Sequence, residues 1–350
     1  VYKRQLVDER DFALVSFRNA LALGDTNRAR RMMGAVEDEE RLVREASGYS
    51  QPGLVLAELL IGAGKAEPAE TILEARRVAG DKPQVLRPRC DALLKKSPEF
   101  AKGRLLRARI AKELGRDADA VRDLRSISPT DPTAEEALKL LGELAEGDAG
   151  GHARLGRADI HIGKKRYPEA VKELSASDAP PTERLERFDL IVNERADFGA
   201  GYRGRALCLF ELERIPEAAD SHLRRFRCRD DHPGSVATDL EQIARAALAK
   251  NDIETGTRVL EQLPDQVSDG AERAIKVIGD DDRAPMLILR SRLLLHLNRA
   301  GDAVRTLVEL VRTDEKSRPQ AAKALEAIIE SGQARPEADF ALSQAHEALD

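Results

Sequence analysis

Apolar positions along the chain return at three- and four-residue steps, the spacing of one helix face rather than of a strand, and the helical stretches repeat. Gly156-Arg157-Ala158 is followed by Arg166 and then Pro168-Glu169-Ala170. Gly204-Arg205-Ala206 is followed by Arg214 and then Pro216-Glu217-Ala218, at an offset of 48 residues throughout. A third copy lies 50 residues before the first, with Arg107-Ala108, Ile110, Arg116, Ala120, Val121 and Leu124 matching Arg157-Ala158, Ile160, Arg166, Ala170, Val171 and Leu174. Weaker copies keep the twelve-residue gap between two small side chains: Ala57 with Ala69, Ala244 with Gly256, and Ser291 with Ala303. Phe17 with Ala29 keeps the gap but departs from the pattern at its first position. Self-similarity at this period signifies stacked supersecondary units that bury a shared core.

The gap has a physical reason. Two antiparallel helices joined by a short turn meet closely only where side chains are small, because an interaxial distance near ~8 Å leaves no room for leucine at the crossing. The turn is marked as well: Gly24, Gly64 and Gly115 sit seven residues after the first small position, where the helix must end in a left-handed residue. Pro168 and Pro216 fall two residues before the second small position, and proline in a first helical turn forfeits no hydrogen bond, so both start the second helix of their hairpins. The triplet Gly-Arg-Ala recurs in register with the hairpin, which makes it a packing element rather than a functional signature.

A small residue, glycine seven later, alanine twelve later and leucine four beyond that resembles the tetratricopeptide repeat. Ala57, Gly64, Ala69 and Leu73 follow this pattern, as do Ala108, Gly115, Ala120 and Leu124. The resemblance touches seven degenerate hairpins over most of the chain, and it implies an all-α solenoid of antiparallel helical hairpins that holds a peptide or protein without chemistry of its own. Family repeats follow one another at 34 residues, whereas the second small positions here, 29, 69, 120, 170, 218, 256 and 303, are spaced by 38 to 51. The extra residues read as spacer helices, as in 133–146, 182–194 and 271–278, where apolar residues keep helical spacing. Breaks at 80–83, 147–151, 179–181, 231–234 and 279–282 carry turn chemistry and are too short to separate independent domains. Residues 6–350 are therefore expected to form one continuous array.

Composition narrows the class. At 350 residues the chain exceeds one ordinary core, so it is either several domains or an extended array. Aromatics are 3% and tryptophan is absent, which leaves little material for sheets. Charged residues reach 34% with both signs interspersed and a net charge of -5, so the basic stripe on which nucleic-acid binding depends is missing. Single-stranded RNA binding is the weakest of the function classes on that ground. Three cysteines, Cys90, Cys208 and Cys228, are too few and too far apart for a disulfide framework or a metal knuckle, and they favour a reducing, cytoplasmic compartment. No apolar run approaches the ~18 residues of a membrane span. Residues 1–5, Val-Tyr-Lys-Arg-Gln, resemble the translation of a transposase sequencing adapter, so natural sequence is expected to begin near Leu6, in an environmental fragment that lacks its native N-terminus.

Candidate chemistry is sparse. His222, Cys228 and His232 lie close together, yet no second cysteine pair or carboxylate completes a four-ligand set. Asp280-Asp281-Asp282 lacks the alternating ligands and central glycine of a calcium loop and reads as a capping turn; residues 37–40 read as an exposed helix start. No strained nucleophile turn or phosphate-cradling loop is present, so neither a catalytic residue, a metal nor a cofactor is expected.

Partner binding is expected on the face formed by the first helices of the hairpins, concave in the tetratricopeptide family. Positions three before, one after and four after the small residue share a stripe on such a helix. The stripe takes in Leu105, Arg109 and Lys112, then Leu155, Asp159 and Ile162, then Arg203, Leu207 and Phe210, with Arg245 and Arg292 at the one-after position further on. Arginines there suit the carboxylates of an acidic peptide, and Leu207 with Phe210 an apolar contact. The alternative from another class is that the array belongs to a larger enzyme, such as a transferase or kinase, whose catalytic domain lies outside this sequence.

Overall fold

The computed structural model describes residues 15–17, 19, 20, 23, 25–33, 43, 50–330, 340 and 343. The features read at residues 1–5, Gly24 and 37–40 lie outside them. Two compact units divide the chain, Val1–Ala179 and Pro180–Asp350. In the first, α1 (Thr26–Met33) precedes α2 (Ser50–Gly62), α3 (Ala66–Val78), α4 (Pro83–Lys96), α5 (Ala101–Glu113), α6 (Asp117–Arg125), α7 (Ala134–Leu144), α8 (Gly150–Gly163) and α9 (Tyr167–Ala176). The second holds α10 (Pro181–Glu194), α11 (Gly199–Glu211), α12 (Ile215–Arg225), α13 (Pro233–Ala249), α14 (Ile253–Gln266), α15 (Gly270–Ile278), α16 (Ala284–His296), α17 (Ala300–Thr313) and α18 (Arg318–Glu330). Among the described residues there is no strand. Each unit is an α-solenoid of antiparallel helical hairpins.

The twelve-residue gap marks six hairpins, α2–α3, α5–α6, α8–α9, α11–α12, α13–α14 and α16–α17, all among the most closely packed neighbouring helices. Ala57 and Ala69, Ala108 and Ala120, Ala158 and Ala170, and Ala206 and Ala218 are all fully buried, as a close crossing requires. Phe17 and Ala29 are buried too. The residue seven after the first small position takes positive φ in each of these hairpins: Gly64 (76°) and Gly115 (68°), but also Lys165 (58°), Glu213 (60°), Asn251 (61°) and Asn298 (56°). The left-handed turn is thus conserved in geometry where the glycine is not. Pro168 and Pro216 occupy the first turns of α9 and α12.

Each residue of the repeated Gly-Arg-Ala triplet has a separate packing task. A Cβ on Gly204 would lie 2.1 Å from Cε1 of Phe188 on α10, and one on Gly156 would lie 3.2 Å from Leu141 on α7. The glycine therefore seats the helix that precedes the hairpin. The arginine fastens the hairpin's two helices: Arg107 donates to Asp123 (Nε to Oδ2, 2.7 Å) and pairs with Asp91, Arg157 pairs with Glu173 (3.0 Å), and Arg205 donates to Asp189 and Ser221 (both 2.5 Å). Asp123, Glu173 and Ser221 are buried; charge-assisted bonds satisfy Asp123 and Ser221, while Glu173 keeps the Arg157 ion pair with its Oε2 left without a hydrogen bond. The alanine makes the crossing.

Spacer helices explain the irregular period. The intervals of 51, 50, 48 and 47 residues between second small positions contain α4, α7, α10 and α15, whereas the 38-residue interval from Ala218 to Gly256 passes straight from α12 to α13. An added single helix reverses the polarity of the next hairpin, because successive helices alternate between two parallel rows. In the first unit α2 and α4 are neighbours in one row, as are α6 and α8, with Arg87 of α4 3.5 Å from Asp119 of α6. The other row holds α3, α5 and α7. In the second unit α12, α14, α16 and α18 form one row, and α13 lies beside α15 in the other, with Arg203 of α11 reaching Asp239 of α13. First helices α2 and α8 therefore lie in the row opposite to α5, and α16 in the row opposite to α13.

Candidate functional site

The alternation divides the predicted stripe among four faces. Arg109 and Lys112 stand on the α3–α5–α7 face of the first unit. Arg109 bridges Glu74 (2.8 Å) and Glu136 (2.5 Å), Lys112 reaches Glu143 (2.5 Å), and Arg77 holds both Glu74 and Glu113 (2.7 Å each). Burial opposes ionisation of Glu74, but the hydrogen bonds from Arg77 and Arg109 outweigh it and hold the carboxyl below its ordinary range. The Lys112 bond lowers Glu143 likewise. These residues line a cavity of about 650 Å³ with Lys139 and Leu140. Its arginines already carry carboxylates from neighbouring helices, so an acidic ligand would have to displace an existing partner at each step.

Asp159 is on α8, in the opposite row, 3.6 Å from Arg125 of α6. It lines a different cavity of about 1090 Å³ with Arg116, Asp117, Arg122 and His152. Leu105, Leu155 and Ile162, members of the same stripe, are buried and take no part in any surface. The structure does not bring Arg109 and Asp159 together.

Apart from Arg292, the second-unit members stand on two helices of one row. Arg203, Leu207 and Phe210 follow one another along α11, and Arg245 holds the equivalent position to Leu207 on α13, the neighbour in the same row. Leu207 is 49% and Phe210 40% exposed, two large apolar side chains one helical turn apart on the same face. Arg203 lies 3.5 Å from Asp239. Asp239 is itself held from below by Arg225, which is 1% exposed and binds Asp231 through both Nε (2.6 Å) and its terminal nitrogen (3.0 Å). Arg245 is exposed and makes no ion pair among the described residues. The face therefore offers an apolar centre, one anchored guanidinium and one uncommitted guanidinium. Arg292, the remaining candidate, sits on α16 in the other row, paired with Glu261 of α14 at 2.8 Å.

The residues weighed for chemistry have structural occupations. His222 accepts from Arg225 (2.8 Å), and burial together with the nearby guanidinium pushes its pKa down to about 4. His232 caps α13 through Nδ1 on the Gly234 N–H (3.2 Å). Cys90, Cys208 and Cys228 are buried free thiols, and burial pushes Cys90 up to about 12 and Cys208 up to about 11. Asp281 is wrapped by the Arg283 guanidinium (Nε 2.9 Å), whose hydrogen bonds hold the carboxyl low; the carboxylate takes the Arg283 N–H rather than a first-turn amide of α16. Among the described residues no group of His, Cys, Asp and Glu could hold a metal, and no helix is long and apolar enough to cross a membrane. The uncommitted Arg245 and the Asp239–Arg225–Asp231 support beneath Arg203, built on the buried Arg225, were beyond the reach of sequence spacing; only the run Arg224-Arg225 with Asp230-Asp231 hinted at the latter.

No protein-family model matches the chain, and no curated protein matches it. Solved structures align along most of it at low similarity. A tetratricopeptide repeat protein from Parabacteroides merdae ATCC 43184 is 15% identical, covering 77% of this chain and 99% of that one at a TM-score of 0.21. A chain of the APC/C hetero-tetramer Cut9-Hcn1 is 10% identical, covering 97% and 96% respectively at a TM-score of 0.19.

Proposed function

We propose that the chain is a protein-interaction scaffold without chemistry of its own, and that a peptide segment of its partner lies on the α11–α13 face. The observation that carries this reading is the exposure of Leu207 and Phe210 on α11, together with an exposed Arg245 on α13, the helix that Arg203 reaches through Asp239. Stacked hairpins bury one continuous core and leave long surfaces, which such proteins use to hold other chains. An apolar anchor flanked by guanidinium groups suits an aliphatic or aromatic side chain with acidic neighbours, since arginine binds a carboxylate in a two-point fork. Arg203, held toward Asp239, contributes direction, and Arg245 contributes the uncommitted charge. In this reading Arg109, Lys112, Asp159 and Arg292 are secondary contact points on the other faces, the first two screened by their glutamates.

The test is a random-peptide display selection against the full chain. Selected peptides should carry one large apolar residue with acidic neighbours, and should lose about tenfold in affinity, ~1.4 kcal/mol, on a Leu207→Asp/Arg245→Glu variant with an unchanged thermal midpoint. Peptides without that pattern, or equal binding to the variant, would refute the proposal.

A further inference from the structure

The second unit carries another groove, on its opposite row, that the α11–α13 face does not include. It lies across α14, α16 and α18, encloses about 430 Å³, and has a floor of Ile288, Leu289, Leu295, Ala324 and Ala327. Ile288, Leu295 and Ala324 belong to the edge of the core that packs α16, α17 and α18 and remain half-buried. Two cations stand on the rim. Arg292 has one partner, Glu261, and is 61% exposed; Lys323 is exposed and has no ion pair among the described residues. The rim therefore carries one net positive charge over an apolar floor.

The polar groups around the groove decide what form of chain fits it. An extended peptide exposes an N–H and a C=O at every residue, and each must find a partner when covered. The hydroxyl protons here are already committed to their own helices, Ser291 Oγ donating to Ile288 O (2.7 Å) and Thr257 Oγ1 to Ile253 O (2.8 Å), and Ser291 is itself buried, so neither offers a donor to a peptide carbonyl. Gln320 is the remaining uncharged side chain on the lining with hydrogen bonds to offer. A helix brings its backbone already satisfied and needs only an apolar stripe from outside. We infer that this groove docks an amphipathic helix of a partner protein, one that inserts aliphatic side chains over Leu295 and Ala324 and sets carboxylates against Lys323 and Arg292.

The inference is independent of the α11–α13 reading and is tested by different residues. The probe is a synthetic leucine/glutamate amphipathic peptide with leucines at helical spacing, compared by fluorescence anisotropy with a leucine/lysine peptide of the same pattern and with a leucine/glutamate peptide broken by a central proline, all against the full chain. The expected result is that the first peptide binds at least tenfold more tightly than either control, and that Lys323→Glu and the groove-filling Ala327→Trp each weaken it about tenfold. Ala327 is exposed, so its replacement leaves the core intact, and unchanged helicity of both variants confirms this. Leu207→Asp should leave this affinity unchanged. Equal binding of the leucine/lysine peptide would overturn the charge assignment, equal binding of the proline peptide would overturn the helical form, and indifference to Ala327→Trp would overturn the site. Binding that appears only after residues 331–350 are removed would also overturn it, by making this chain's own end the occupant.

Discussion

Replacing Lys165 by glycine should stabilise the first unit, although it deletes a side chain and adds no contact. Lys165 holds φ at 58° in the turn between α8 and α9, where an L-residue meets its own carbonyl at a cost of about 1–2 kcal/mol. Glycine removes that cost but gives the unfolded chain more freedom, which returns about 0.5–1 kcal/mol. The net gain is ~0.5–1 kcal/mol. The side chain is exposed and the turn's hydrogen bond, from Lys165 N to Ile162 O (2.8 Å), survives the change. Glu213→Gly should gain less, because Glu213 also pairs with Lys250 (2.9 Å) across exposed surface, worth about 0–1 kcal/mol. Asn251→Gly should be nearly neutral, asparagine being tolerant of this conformation. In reverse, Gly115→Ala should cost ~1 kcal/mol; no atom lies within 4 Å of the added Cβ, so the loss reports backbone conformation alone. Stacked hairpins need not unfold together, so the sharpest readout is local: hydrogen exchange of the Arg166 amide, which bonds to His161 O (2.8 Å), should slow about threefold in Lys165→Gly. Faster exchange in that variant, or no change in Gly115→Ala, would show that the turn strain assigned here is absent.

Three other perturbations follow from the packing. Ala158→Leu and Ala206→Leu should each cost about 1–3 kcal/mol by overpacking a fully buried crossing, read as a lower urea midpoint at unchanged slope; an unmoved midpoint in both would show that these are not the contact positions. Gly204→Ala should cost a similar ~1–3 kcal/mol because its Cβ meets Phe188, and Phe188→Leu should recover part of that loss in the double variant; additive losses would place the seat elsewhere. His222, whose pKa is pushed down to about 4 from 6.5, should remain neutral in the fold while the unfolded chain protonates. Its contribution therefore lowers stability as pH falls from about 6.5 to about 4 and levels off below, and His222→Asn should flatten that slope; an identical pH profile would remove His222 from the account.

Hairpins were legible in the sequence because a helix crossing tolerates only small side chains, and that demand survives when everything around it drifts. The pair Ser291 with Ala303 located α16–α17 on that rule alone. Turn geometry was half legible: Gly64 and Gly115 announce a left-handed residue, whereas Lys165 and Glu213 adopt the same conformation against their preference and look like ordinary helix surface. The helix α4 escaped notice because Pro88 interrupts its pattern, and α18 because its apolar residues follow a proline-started run with no partner pair. The candidate site was less legible still. Spacing identifies which face of its own helix a residue occupies, but the row that helix joins depends on how many single helices precede it. That count separates Arg109 from Asp159 and unites Leu207 with Arg245. Whether an arginine is already committed, as Arg109 is to Glu74 and Glu136, depends on residues 27 and 35 positions away, beyond any local pattern.

The scaffold reading meets its most direct test in methyl NMR of the full chain titrated with a display-selected acidic peptide. Saturable shifts of the Leu207 methyl signals are expected, with those of Leu140, on the charge-paired α3–α5–α7 face, and of the buried Leu209 holding still. Shifts at Leu140 with Leu207 unmoved would contradict it.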